Sequence, residues 1–459
     1  MSLSINTDSP PDTPKLDANL TEWLNYMQQI HVSAIDMGLA RVLPVAEHLG
    51  LVQSACDNAF VFTVAGTNGK GSTTAVISAL CQAAGYKTAL YQSPHLSQFN
   101  ERVRIDGEMV SDKTLIDAFN KVEAARLTCA LTLSFFEMTT LAALLIFAEA
   151  DCDVWVLEVG LGGRLDVVNI IDTDMAVITN IGIDHVDWLG DNVEAIGREK
   201  AGILRDDITL IYGDAKMPNS VQQLIDKHRA TCYQVSQDFG FQAQDADTWQ
   251  YSNAALTLQL PRPALSLINT ANALSAVLAS PLNVDLDAIK RALTTVKLAG
   301  RFDYRHILDR HWLFDVAHNE QGVEFLLAQL VPLWQQHLAN ANSAQQTLAT
   351  PATVNKPKVK MLFSMLADKE IAKVVERLTQ ADLPITDWYV GEIDYPRAAS
   401  IEQLETVLVS YVAKSNIHTF ATLAQATAAL IDNSQAQDLL VVCGSFHTIG
   451  EALTALAAD

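Results

Sequence analysis

The run Gly66-Thr67-Asn68-Gly69-Lys70-Gly71-Ser72-Thr73 has the composition of a phosphate cradle. A glycine-rich turn exposes consecutive backbone N–H groups, and a helix start adds its own unpaired donors, so together they can hold an anion. Lys70 adds a cation long enough to reach terminal phosphoryl oxygens. The run departs from the ordinary G-x-x-x-x-G-K-[ST] pattern: Val64 stands at the first glycine position, and Gly71 separates Lys70 from Ser72. A surface turn with a solvated lysine is the competing reading. The flanks favour nucleotide binding. Phe60-Val61-Phe62-Thr63-Val64-Ala65 reads as a buried strand, and the stretch to Ala84 reads as a helix ended by Gly85.

The elements around this turn alternate. Lys87 to Tyr91, Val154 to Leu157, Met175 to Ile178 and Thr209 to Tyr212 read as buried strands with helical stretches between them. That pattern predicts a doubly wound, mostly parallel α/β sheet. An amphipathic helix is expected to lead, from about Leu16 to Ile30, with Leu20, Trp23, Leu24 and Met27 on one face. A second, smaller α/β domain is predicted over 300–459, with strands at Trp312 to Phe314, Val359 to Phe363, Trp388 to Val390 and Leu439 to Val442. The first domain then spans 1–299, and the polar stretch 339–357 reads as a flexible loop.

Composition narrows the partners. The 459-residue chain has 31 Lys+Arg against 53 Asp+Glu, a formal charge of −22, which repels nucleic acid and anionic membranes. Cys56, Cys81, Cys129, Cys152, Cys232 and Cys443 are scattered without a C-x-x-C pair, and so read as reduced thiols. The opening residues are polar and acidic, unlike a signal peptide. The apolar stretch Met138 to Ala148 is too short for the ~20 residues of a membrane span. A cytoplasmic protein is expected.

Longer motifs follow in order: Tyr91-Gln92-Ser93-Pro94-His95-Leu96, Asn100-Glu101-Arg102-Val103-Arg104 and Leu157-Glu158-Val159-Gly160-Leu161-Gly162-Gly163-Arg164-Leu165-Asp166. Then come Ile183-Asp184-His185-Val186-Asp187-Trp188-Leu189-Gly190, Arg198-Glu199-Lys200-Ala201-Gly202-Ile203, Gly300-Arg301-Phe302 and Phe314-Asp315-Val316-Ala317-His318-Asn319. With the G-T-N-G-K-G-S turn, this set resembles the folate-ligase branch of the Mur ligase family over about Asp36 to His447. Proline usually follows the equivalent of Asn319 in that family, and here Glu320 does.

The resemblance implies an ATP-dependent amide ligase that adds L-glutamate to 7,8-dihydropteroate and to tetrahydrofolate through an acyl phosphate, acting as a monomer on small molecules. Phosphoryl transfer to a carboxylate is mostly positioning and charge neutralisation, so a cradle, Mg²⁺ and cations suffice. The ATP contacts it implies are Gly66, Thr67, Asn68, Gly69, Lys70, Gly71, Ser72, Asn269, Arg301 and Asp315, with Asn272 as a rival to Asn269. Arg301 would deliver its charge on domain closure, or else form a hinge salt bridge. His318 joins Lys70 and Lys200 as a catalytic candidate.

For two Mg²⁺ ions the family pattern falls on Ser93, Glu158, His185 and a CO₂-derived carbamate on Lys200. The bland readings are a turn serine before Pro94, a salt-bridged Glu158, a structural His185 and a solvated Lys200 beside Glu199. Burial gives Glu158 the stronger case for a metal, because an unpaired carboxylate at the end of an apolar strand is costly. The pterin would lie at Asp36, Met37, Gly38, Leu39, Ser134, Phe135, Phe136, Glu137, Leu165, Asp166 and Val167, with a phenyl ring as stacking wall and a carboxylate for the N–H donors. Alone, Phe135 and Phe136 would read as core. Ser445 is assigned to the incoming glutamate. Two other readings compete. A peptidoglycan-precursor Mur ligase would need a whole domain before Gly66. A switch NTPase would need an N-K-x-D motif, which is missing.

Overall fold

Short, mostly apolar runs buried on both faces form the inner strands of the first sheet, while the outer strands are partly exposed. Its strands are β1 (Phe60–Ala65), β2 (Thr88–Tyr91), β3 (Val103–Ile105), β4 (Glu108–Met109), β5 (Val154–Glu158), β6 (Met175–Ile178), β7 (Thr209–Tyr212) and β8 (Thr231–Gln234). They lie in the order β4-β3-β2-β5-β1-β6-β7-β8. Pairings from β2 across to β8 are parallel, and only β2–β3 and β3–β4 are antiparallel. Helices cover such a sheet on both faces, which is why its strands read as continuous apolar runs. The computed structural model describes residues 13–15, 18–31, 36–52, 59–245, 247–346 and 356–458.

Two compact units emerge. The first comprises Met1–Ser93, Asn100–Arg262 and Ile268–Thr294, and the second Pro94–Phe99, Pro263–Leu267 and Thr295–Asp459. The leading helix covers Leu20–Met27, shorter than its apolar pattern, because Asn19 caps it through a capping box with Glu22. Leu16 lies outside the described residues. The first unit also holds a three-stranded antiparallel sheet of β9 (Phe239–Ala243), β10 (Thr248–Asn253) and β11 (Thr257–Pro261), which the sequence reading missed. Its strands alternate: Trp249 and Tyr251 are buried while Gln250 pairs with Gln259 on the outer side. Alternation of that kind leaves few apolar residues in a row to notice.

The second unit is built on β12 (Asp303–Ile307), β13 (Arg310–Asp315), β14 (Val359–Phe363), β15 (Ile385–Gly391), β16 (Ile417–Phe420) and β17 (Leu439–Cys443), in the order β12-β13-β17-β14-β15-β16. Only the β12–β13 hairpin is antiparallel. One expectation is corrected: the helix Glu320–Gln346 runs through the first part of the stretch read as a loop. Ala and Gln are good helix formers even where no apolar stripe marks them. Residues 347–355 lie outside the described residues. Among the described residues no helix is long and apolar enough to cross a membrane, and Cys81, Cys129, Cys152, Cys232 and Cys443 are free.

Candidate functional site

β1 delivers its chain directly into the glycine-rich turn, and the helix Lys70–Ala83 starts at Lys70. Two glycines are required by geometry. A Cβ on Gly66 would lie 1.8 Å from Thr179 Oγ1, and Gly69 has φ +85° with Asn269 Oδ1 only 2.3 Å from a Cβ there. The turn is pinned to the chain leaving β6. Thr67 N–H donates to Asn180 O (3.1 Å), Asn68 N–H to Asn180 Oδ1 (3.0 Å), and the Thr179 hydroxyl to Asn68 O (2.6 Å). Thr67 Oγ1 donates to Gly182 O at 3.1 Å and accepts from Gly182 N–H at 2.9 Å. Thr179 and Asn180 were not singled out from sequence, because their partners lie more than a hundred residues away. Gln92 is a further support, donating to Gly71 O at 2.8 Å. Ser72 is buried in the first turn of the helix.

Lys70 and Lys200 meet at one carbonyl. Lys70 Nζ donates to Gly66 O (3.0 Å) and Thr67 O (3.3 Å), and Lys200 Nζ donates to Gly66 O at 2.9 Å. Lys200 is 5% exposed, near the end of the helix Val193–Lys200. Burial, and then the charge of Lys70, bring its pKa down to about 7, against weaker opposition from Asp184 and Asp166. The solvated-lysine reading therefore fails for this residue. A buried amine that is half neutral near pH 7 is chemically distinct from a surface lysine.

Glu158 ends β5 beside Val64 of β1 and is buried, accepting a hydrogen bond from Ser93 N–H at 3.3 Å. Asp166 and Arg102 share this interior. Burial lowers the Arg102 pKa, opposed by Tyr91 and Glu158, and its guanidinium lies 5.8 Å from the Phe135 ring centroid. His185 opens a short helix in the left-handed region (φ +52°), with Nε2 3.8 Å from Asp184 Oδ2. Among the described residues no three His, Cys, Asp or Glu side chains converge to hold a metal. The donor chemistry of Ser93 and Glu158 nonetheless fits Mg²⁺, which takes oxygen ligands.

Two of the pterin candidates meet at a residue that sequence reasoning did not name. Arg41 reaches Asp36 Oδ2 at 2.8 Å and Glu137 Oε1 at 2.7 Å, and His31 Nε2 lies 3.1 Å from the same Asp36 oxygen. The other Glu137 oxygen accepts Ser134 N–H at 2.6 Å, closing a capping box at the start of the helix Phe135–Ala150. Arg41 Nε is buried without a hydrogen-bond partner. Asp36, whose side chain is 34% exposed, is thus the more accessible carboxylate of the pair. Phe136 packs so closely on Gly160 that a Cβ there would sit 2.4 Å from its ring, and Tyr91 lies 6.5 Å away between centroids. Met37 and Leu189 both face Gly162. Gly38 has φ +144°, and Leu39 O accepts Leu43 N–H at 2.9 Å. Leu165 precedes Asp166, which caps the short helix Val167–Ile170 and accepts Leu161 N–H (2.8 Å) and Val168 N–H (3.0 Å). Burial nevertheless raises its pKa to about 6.

Packing separates the two asparagines of the helix Leu267–Ala279. Asn269 lies against Gly69, whereas Asn272 lies against Gly213 with both amide atoms unpartnered. In the second unit Asp315 ends β13 and accepts Phe302 N–H (2.8 Å) and Ala317 N–H (2.9 Å), while burial raises its pKa against the pull of Arg301. The Arg301 guanidinium lies 4.9 Å from the Phe446 ring centroid. His318 Nδ1 is 2.8 Å from Val316 O. Glu320, where the family has proline, begins the helix that Asn319 caps through Gly322 N–H, a position that tolerates either residue, and it pairs with Arg377 at 2.6 Å. Ser445 accepts Thr448 N–H at 3.0 Å, so it also serves as a helix cap.

Family models for the Mur ligase middle domain match residues 64–280, and for the Mur ligase glutamate ligase domain residues 337–446. The chain is 38% identical over 447 residues to the dihydrofolate synthase/folylpolyglutamate synthase of Escherichia coli K12, covering 97% of each chain. It is 34% identical over 439 residues to the Haemophilus influenzae protein of the same name, covering 95% of this chain and 97% of that one. The solved structure of E. coli FolC in complex with DHPP and ADP superposes with TM-score 0.84 at 37% identity, covering 97% of this chain and 99% of that one. A bifunctional folylpolyglutamate synthase/dihydrofolate synthase with Mn, AMPPNP and L-glutamate bound gives 0.84 at 35% identity, covering 97% and 100%.

Proposed function

The chain belongs to the dihydrofolate synthase/folylpolyglutamate synthases of the Mur ligase family, and from that premise we propose that it joins L-glutamate to both 7,8-dihydropteroate and tetrahydrofolate. A substrate carboxylate oxygen attacks the γ-phosphorus of ATP and ADP leaves. The glutamate nitrogen then attacks the acyl carbon and loses a proton as phosphate leaves. The observation that carries this reading is the pair of lysines on the Gly66 carbonyl: the half-buried Lys70 beside the proposed phosphate cradle, and the buried Lys200, poised near neutrality.

In this reading Lys70 and the turn from Gly66 to Ser72 bind the phosphates, Asn269 lies against Gly69 of that turn, and Arg301 and Asp315 are further nucleotide contacts. His318 accepts the amine proton: donation from Nδ1–H to Val316 O would leave Nε2 as the acceptor. Ser445 helps hold the incoming glutamate. Asp36 reads the pterin N–H donors, and Arg41 holds Asp36 and Glu137 in register. Ser93, Glu158 and His185 would hold a first divalent cation, and the carbamate of Lys200 a second. When bound, the ions neutralise phosphate charge. The reading includes a monomer in the cytoplasm, a reducing compartment that suits the free thiols.

The test is ADP release with each pterin substrate, glutamate and Mg²⁺. Release with both is expected. Release with tetrahydrofolate alone would reduce the protein to a polyglutamate synthase, and silence with both would refute the reading. A second expectation concerns Arg41. Arg41→Met removes charge-assisted hydrogen bonds worth about 1.5–3 kcal/mol each, so KM for dihydropteroate should rise ~10-fold or more with KM for ATP unchanged. Equal KM values for dihydropteroate in both proteins would remove Arg41 from the pterin site.

A further inference from the structure

We propose that His306, His311 and His337 form a proton-sensitive latch that holds the β12–β13 hairpin against the helix Glu320–Gln346, apart from the ligase site. The hairpin turns on Leu308 and Asp309, both at positive φ (+49° and +56°), with Ile307 paired to Arg310. The next pair, His306 opposite His311, is then the non-hydrogen-bonded kind, in which facing side chains lie closest. Their ring centroids are 5.1 Å apart. From the helix, the His337 ring packs on His311 at 4.8 Å and 78°, so His311 is flanked by imidazoles from two directions.

The remaining neighbours fix orientation and do little to offset charge. Tyr304, also on β12, holds its hydroxyl 2.6 Å from His311 Nδ1. His337 Nε2 lies 2.7 Å from Gln437 O, which can only accept, so Nε2 carries the hydrogen. Trp334 stacks on His337 one turn earlier in the helix. The facing carboxylate is Asp309, 3.8 Å from His306 Nε2, and Arg310 is turned to Ser434 Oγ at 2.7 Å.

A proton on His311 is disfavoured by burial and then by His337 and His306, with Asp309 opposing only in part. The unfolded chain therefore takes up that proton more readily than the folded one. The latch contributes fully above the ordinary histidine range, near ~6.5, and is lost as pH falls through that range toward the lower folded value. Acidification should loosen the hairpin from the helix.

Melting temperatures of the full-length wild type, His311→Gln and His337→Gln at pH 7.5 and 5.5 test this, together with NMR titration of the wild-type His311 ring. The wild type should lose about 2–4 °C more on acidification than either variant. His311 should titrate below an ordinary histidine, and ligase activity at pH 7.5 should be equal in all three proteins. The same acid-induced loss in every protein would overturn the latch, as would a His311 ring titrating at or above the ordinary value. If His311→Gln does not fold, His337→Gln and the wild-type titration still decide.

Discussion

Lys70→Ala should leave the melting temperature nearly unchanged and slow ADP release ~10²–10³-fold at saturating ATP, the usual loss for one preorganised charge contact in the transition state. Lys70 begins its helix and donates to the carbonyls of Gly66 and Thr67, while the turn is separately pinned through Thr179, Asn180 and Gly182. Removing the ammonium should therefore leave the cradle standing. A loss confined to KM for ATP, with kcat intact, would assign Lys70 to ground-state binding alone. Near-normal turnover would return it to a structural role.

Lys200→Arg and Lys200→Ala should both be inactive, because neither can readily form a carbamate. An arginine keeps a positive charge, so the pair separates two demands: a cation touching phosphate, or an anion facing a metal. The wild-type amine is buried with a pKa of about 7, so above that pH a substantial neutral fraction is free to take up CO₂. Activity should fall as pH drops through about 7, where the ammonium form dominates. Depleting CO₂ should lower wild-type activity, and a small carboxylate added to Lys200→Ala should restore part of it. An active Lys200→Arg enzyme would exclude the carbamate.

The strand, glycine-rich turn and helix proposed as the phosphate cradle were legible in the sequence because they are contiguous there, and glycine at a positive φ is a local demand that Gly69 meets. The strands β1, β5, β6, β14 and β17 were legible for a related reason: burial on both faces makes each a mostly apolar run, with Thr63, Glu158 and Lys360 as the polar members. What the sequence alone could not determine depended on partners far apart in the chain. Arg41 is an ordinary arginine until the fold brings it to Glu137, 96 residues away. Asn269 and Asn272 are equivalent in composition, and only helix packing sets one against Gly69 and the other against Gly213. Lys200 reads as a solvated helix lysine from its neighbours alone, and it is a buried amine because the fold sets the end of its helix against Gly66, 134 residues away. Sequence determines what a residue can do chemically and which local turn it favours. Tertiary structure decides which charges lose their water and which distant groups they then face, and those two quantities set the pKa and hence the chemistry of a site.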